Sequence, residues 1–72
     1  MSIAVDSNNN RIYVVNLFST ISVIDGKNDT VVKTIDLEEA TDLHDIALNP
    51  NNNKIYVVSF APDKLHVIDS NI

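Results

Sequence analysis

An all-β fold is predicted for this chain of 72 residues, and three observations predict it. The apolar runs are short and rich in Val, Ile and Tyr, residue types that suit a pleated, packed surface. Clusters of Asn, Asp and Ser separate those runs, which is turn chemistry rather than helix chemistry. The pattern is also stated twice. Ile3 through Val15 reappears as Ile46 through Val58 with nine of thirteen residues identical, Tyr13 and Tyr56 lying 43 positions apart. Val23-Ile24-Asp25 returns as Val67-Ile68-Asp69 at an offset of 44. A repeat of this period marks supersecondary units that bury their apolar surface only against one another.

The elements follow in order. Strand a covers Ile3–Val5 and strand b covers Arg11–Asn16. Asp6-Ser7-Asn8-Asn9-Asn10 joins them with residues that tolerate left-handed backbone and bond to their own main chain. Strand c covers Thr20–Ile24 and strand d Thr30–Ile35, with Asp25-Gly26 as a hairpin cue between them. The second unit repeats a at His44–Leu48, b at Lys54–Ser59 and c at Lys64–Ile68, again with an Asn-rich turn, Asn49 to Asn53. No counterpart of strand d is expected before Ile72.

Both b strands, Ile12-Tyr13-Val14-Val15 and Ile55-Tyr56-Val57-Val58, are apolar without alternation. Such runs predict a sheet covered on both faces, with Tyr13 and Tyr56 buried and their hydroxyls satisfied. Val32 and Lys33 alternate, as on an outer, partly wet strand. Between the units, Asp36 and Glu39 have the spacing of a capping box, so a helical turn and an irregular loop both fit. The expected organisation is a first unit over 1–35, a crossover over 36–43, and a second unit over 44–72 lacking its outer strand.

Composition narrows the function classes. A chain this short buries only about 60% of its unfolded surface, a marginal core. With no cysteine, neither a disulfide nor a thiolate metal site supplements that core. The net charge of −5 argues against nucleic acid or an anionic membrane surface as partner. No apolar stretch is long enough to span a bilayer, and no basic-then-apolar leader opens the sequence.

The residues resemble the YVTN repeat of β-propellers. Ile3-Ala4-Val5, Ile12-Tyr13-Val14-Val15-Asn16, Ile21-Ser22-Val23-Ile24-Asp25 and Val31-Val32-Lys33-Thr34-Ile35 follow that repeat in order. Ile46-Ala47-Leu48, Ile55-Tyr56-Val57-Val58-Ser59 and Leu65-His66-Val67-Ile68-Asp69 follow it again. The signature residues are Ile12, Tyr13, Val14, Asn16, Val23, Ile24 and Asp25, with Ile55, Tyr56, Val57, Val67, Ile68 and Asp69. The resemblance implies propeller blades, each a four-stranded antiparallel sheet, and about one and three-quarter of them: an incomplete propeller segment. Val15 and Val58 replace the repeat's Thr, and Ser59 its Asn, which puts the polar contacts of the second strand b in doubt. Phe60-Ala61-Pro62-Asp63 is expected to lengthen the second b–c turn by one residue.

A closed propeller needs roughly four to eight blades. The chain is therefore expected to be a piece of a longer propeller, an engineered repeat, or a subunit of an assembled ring, with three copies supplying six blades or four supplying eight. Its expected partners are neighbouring blades, of the same parent chain or of further copies, with a protein ligand as a further option. An extracytoplasmic parent, periplasmic or cell-surface, is implied by the resemblance alone.

No catalytic constellation, metal motif or cofactor site is expected. His44 and Asp45 are the funnel candidates, because by resemblance the segment ahead of strand a runs toward the central funnel. A lone histidine also reads as a loop or capping residue, and Met1 holds the equivalent place in the first unit. His66 stands where Ser22 stands and is expected to pack or face solvent. Asp25 and Asp69 are expected to accept turn hydrogen bonds, cation ligation being the alternative. Asn28-Asp29-Thr30 forms an N-x-Thr sequence in an exposed turn. The expected function is a non-enzymatic binding or scaffold module. The alternative is part of a lactonase-like or quinoprotein-like enzyme to which His44 and Asp45 contribute.

Overall fold

The computed structural model describes residues 2–16, 19–37, 42–60 and 63–70. Seven strands occur among them: β1 (Ser2–Asp6), β2 (Arg11–Val15), β3 (Thr20–Asp25), β4 (Thr30–Asp36), β5 (Leu43–Asn49), β6 (Lys54–Phe60) and β7 (Asp63–Asp69). They form a four-stranded sheet in the order β1-β2-β3-β4 and a three-stranded sheet in the order β5-β6-β7, antiparallel throughout. The fold is all-β, consistent with an incomplete propeller-like segment. Each strand lies within a residue or two of its expected place. Asp36, half of the expected capping box, is a strand residue whose carboxylate accepts from the Ser19 hydroxyl at 3.2 Å. Glu39, the other half, lies outside the described residues.

Local turn chemistry explains the hairpins. Asp6, Asp25 and Asn49 each close a strand and accept from a backbone N–H two residues on, at 3.1, 2.9 and 3.2 Å. Four-residue loops follow, and the last loop residue is left-handed each time: Asn10, Asp29 and Asn53, with φ of 53°, 58° and 57°. Asn and Asp reach that region at less cost than other side chains. A hairpin forms at Asp25-Gly26 as expected, with its positive φ at Asp29 rather than at Gly26. Gly26 is needed for space instead, because a Cβ there would press on the Asn10 carbonyl oxygen at 3.1 Å.

The two sheets pack face to face, β1 and β2 lying against β5. Alternation decides which side chains meet. Tyr13, Val15, Ile21 and Val23 of the first sheet join Leu43, Ile46, Ile55 and Val57 of the second in one core. Ala4, Ile35, Leu37, Leu48 and Ile68 pack around its margin.

Two expectations about strand b need correction. Coverage is one-sided: Ile12 and Val14 on the outer face of the first sheet are half-buried, and Val58 on the outer face of the second is exposed. Tyr13 is 1% exposed, but Tyr56 is only half-buried, because it points away from the neighbouring sheet. The reason is geometric, since a strand presents alternate residues to opposite faces and, among the described residues, only one face of each sheet has a neighbouring sheet.

Two departures come from single-residue irregularities. A bulge opposite Val23 and Ile24 lets Val32 fall between register pairs, so β4 does not alternate cleanly. The extra residue of the second b–c hairpin lengthens the strands rather than the turn. Pairing runs on to Ser59↔Lys64 and Phe60↔Asp63, leaving residues 61 and 62, which are not described, to connect them.

Candidate functional site

His44, expected to open the second strand a, lies within β5. Register pairs Leu43 with Ser59 and Asp45 with Val58, so His44 is the extra residue of a bulge. Bulges re-aim side chains. Here the imidazole stacks on Phe60, ring centroids 4.5 Å apart at 28°, and both residues are exposed. The backbone N–H of Phe60 donates to the Asp42 carbonyl at 3.1 Å, which holds the stacked pair at the end of the sheet.

Asp45 is turned to a structural task. Its Oδ1 accepts from the Ile46 backbone N–H at 2.9 Å and from the Ser2 hydroxyl at 3.0 Å. The second bond ties the first strands of the two sheets together. The Ile46 N–H, then the Ser2 hydroxyl, hold the carboxyl below the ordinary carboxylate range, against a small opposing effect of burial; nearby His44 adds to the lowering. Whatever this group contributes to stability is present above its ordinary range and lost as pH falls through its lowered value. His44 and Asp45 are thus neighbours in sequence whose side chains have different partners.

A second polar cluster joins Ser59 and His66. Ser59 is fully buried, and its Oγ lies 3.1 Å from His66 Nε2 and 3.5 Å from the Lys64 carbonyl oxygen. In the first unit, Asn16 Nδ2 donates to Ser22 Oγ and to Thr20 Oγ1, both at 3.0 Å. Asn16 corresponds to Ser59, and Ser22 to His66. The long and short partners have changed places, and the contact between them is kept. The polar contacts of the second strand b, doubtful from sequence, are therefore re-made by exchange. The signal was present in the two columns of the repeat, but only the strand register brings them together.

Tyr13 lies near a third link, in which Ser70 Oγ donates to the Asn53 carbonyl at 2.9 Å. Burial pushes the Tyr13 hydroxyl above its ordinary value of 10.0, with Asp6 adding to the shift; Arg11 and Ser70 oppose it. Asp6 itself is buried and caps its own turn, accepting from Asn8 N, Asn9 N and Asn9 Nδ2 at 3.1, 3.3 and 2.9 Å.

The remaining signature residues divide by face. Val23, Ile55 and Val57 are core, with Ile68 at its margin. Ile12, Val14 and Ile24 lie on the outer face of the first sheet, Tyr56 and Val67 on that of the second. Asp25 accepts from Lys27 N as expected. Asp69 ends β7 opposite Lys54. The N-x-Thr sequence is exposed, with Thr30 Oγ1 donating to Asn28 Oδ1 at 2.6 Å.

Two concavities accompany these residues. One of about 170 Å³ lies at the turn end of the sheet pair, lined by Val5, Asp6, Ser7, Asn8, Leu48 and Pro50. The other, about 110 Å³, is a shallow hollow on the outer face of the second sheet between Asp45, Ile46, Ala47, Tyr56 and Val58. Among the described residues no group of three or more His, Cys, Asp and Glu side chains is arranged to hold a metal ion. Compared with family models, curated proteins and solved structures, the chain matches none of them.

Proposed function

We propose that this chain is a β-propeller repeat segment acting as a non-enzymatic binding or scaffold module. One observation carries the reading: the polar side chains are spent on holding two repeat-related sheets in shape, while apolar rows stand on the outer faces. Asp6, Asp25 and Asn49 close turns, Asp45 and Ser2 join the sheets, and Ser59 and His66 brace one strand to the next. Ile3 and Val5 on one outer face, and Val58, Leu65 and Val67 on the other, are exposed. Apolar surface displayed in rows is the usual mark of a surface that binds.

The enzyme reading required His44 and Asp45 to act together on a ligand. Their engagement with Phe60 and with Ser2 favours the structural role. The test is direct. His44→Ala and Asp45→Asn are expected to leave both sheets intact by circular dichroism and amide exchange. The wild-type chain is expected to turn over no simple lactone or ester with calcium or zinc added. Saturable lactone hydrolysis by the wild type, abolished in His44→Ala, would overturn the reading.

A further inference from the structure

The two outer faces are not alike, and the repeat says what each is for. Adding the repeat offset to the buried residues of the first sheet names the outer residues of the second. Tyr13, Val15, Ile21 and Val23 correspond to Tyr56, Val58, Leu65 and Val67. The converse also holds. Ile46, Leu48, Ile55 and Val57, which the second sheet turns inward, correspond to Ile3, Val5, Ile12 and Val14, which the first sheet turns outward. The contact inside the molecule is therefore between unlike faces, a tyrosine face of the first sheet and an isoleucine face of the second. Each molecule presents one uncovered copy of each. The hollow between Asp45, Ala47, Tyr56 and Val58 lies where, on the first sheet, Ser2, Ala4, Tyr13 and Val15 meet the second sheet.

We infer that the outer tyrosine face of one copy docks on the outer isoleucine face of a second copy, reproducing between chains the contact already made within one. This rests on the reading of the chain as a repeat segment and names its partner as itself. The occupant follows from continuity with the internal interface. Val15 is 0% exposed under its neighbour, whereas its counterpart Val58 is 39% exposed; Ile46 is 8% exposed, whereas its counterpart Ile3 is 63% exposed. The apolar b strands, too uniform for a sheet with one wet face, are thereby covered on both sides. Ser2 meets Asp45 within the molecule, and both occupy the same repeat position. The same relation brings Ser2 of the added copy to Asp45 of the first. Because the contact joins unlike faces, it propagates head to tail until it closes into a ring.

The experiment is light scattering with the 72-residue chain and two variants, Ile3→Arg and Val58→Arg, each spoiling one face. The wild type is expected at a discrete multiple of the 8.0 kDa of one chain, and each variant at the mass of one chain. An equimolar mixture of the variants is expected at the mass of two chains, since each keeps the face the other lacks. Overturning results are a monomeric wild type at about 1 mM, a variant that keeps the wild-type mass, or a mixture that stays monomeric. Amide exchange at Val15, Ile21, Ile55 and Val57 reports separately whether the sheet pair is folded. Should either arginine variant lose that protection, Val5→Glu and Leu65→Glu test the same two faces. Failure here leaves the hydrolysis assay above untouched, so the two readings fall independently.

Discussion

Ile12 and Ile55 are the same residue at the same place in the repeat, and only one of them has a second sheet over it. Truncating each to alanine therefore measures what that cover contributes. Ile55 is fully buried in the shared core, so Ile55→Ala removes buried methyl groups and leaves a cavity between two sheets. Such changes cost about 2–5 kcal/mol, and a site walled on both sides by sheet collapses poorly, which points to about 3–4. Ile12 is half-buried, flanked only by neighbours on its own sheet, and its truncation is expected to cost about 1 kcal/mol. The difference is large against the whole. A domain of this length is stable by about 4–11 kcal/mol at ordinary values per residue. The assay is urea unfolding in the Val58→Arg background, where association between copies is suppressed. With a slope of about 1 kcal/mol per molar, the two midpoints should differ by about 2–3 M. Equal costs for Ile12→Ala and Ile55→Ala would refute the packing of the sheets on that face, whatever the strands themselves do.

Two further outcomes are expected. In a double-mutant cycle, Ser59→Ala and His66→Ala should each destabilise by about 1–2 kcal/mol and couple by about 1 kcal/mol, because the hydroxyl has no access to water; additive losses in urea unfolding would dissolve the pair. Tyr13→Phe removes a buried hydroxyl and should cost about 1 kcal/mol near neutral pH. It should also flatten the alkaline limb. A raised folded value keeps its full contribution below 10.0 and loses it as pH climbs through that raised value, so the wild type alone should weaken from this group. Parallel stability profiles between about pH 8 and 11 would contradict the burial of that hydroxyl.

The strands were legible because their determinants are local. Runs of Val, Ile and Tyr between Asn and Asp clusters specify extended segments and left-handed turn ends without reference to anything distant. Gly26 shows the limit of that reading, since its role is the approach of Asn10 rather than its own torsion. Burial was less legible. Tyr13 and Tyr56 have near-identical surroundings in sequence, and their different exposure depends on which side of each sheet has a neighbour. The candidate site was least legible. Asp45 finds Ser2 across 43 positions, and His44 is turned onto Phe60 by a bulge that no residue type announces. No local pattern of residue types along the chain announces either pairing.

The exchange of Asn16 and Ser22 for Ser59 and His66 bears on how such a chain avoids tangling as it folds. A polypeptide that spells Ile-Tyr-Val-Val twice offers each central strand two plausible partners, and an antiparallel hairpin assembled from the wrong halves would satisfy most of its hydrogen bonds. The exchange makes the crossed products unequal to the correct ones. β6 laid against β3 would set Ser59 beside Ser22, two short side chains across a gap. β2 laid against β7 would press Asn16 against His66, two long ones into a space sized for one. The native hairpins alone match long with short, so the exchange favours correct pairing between units that share much of their sequence.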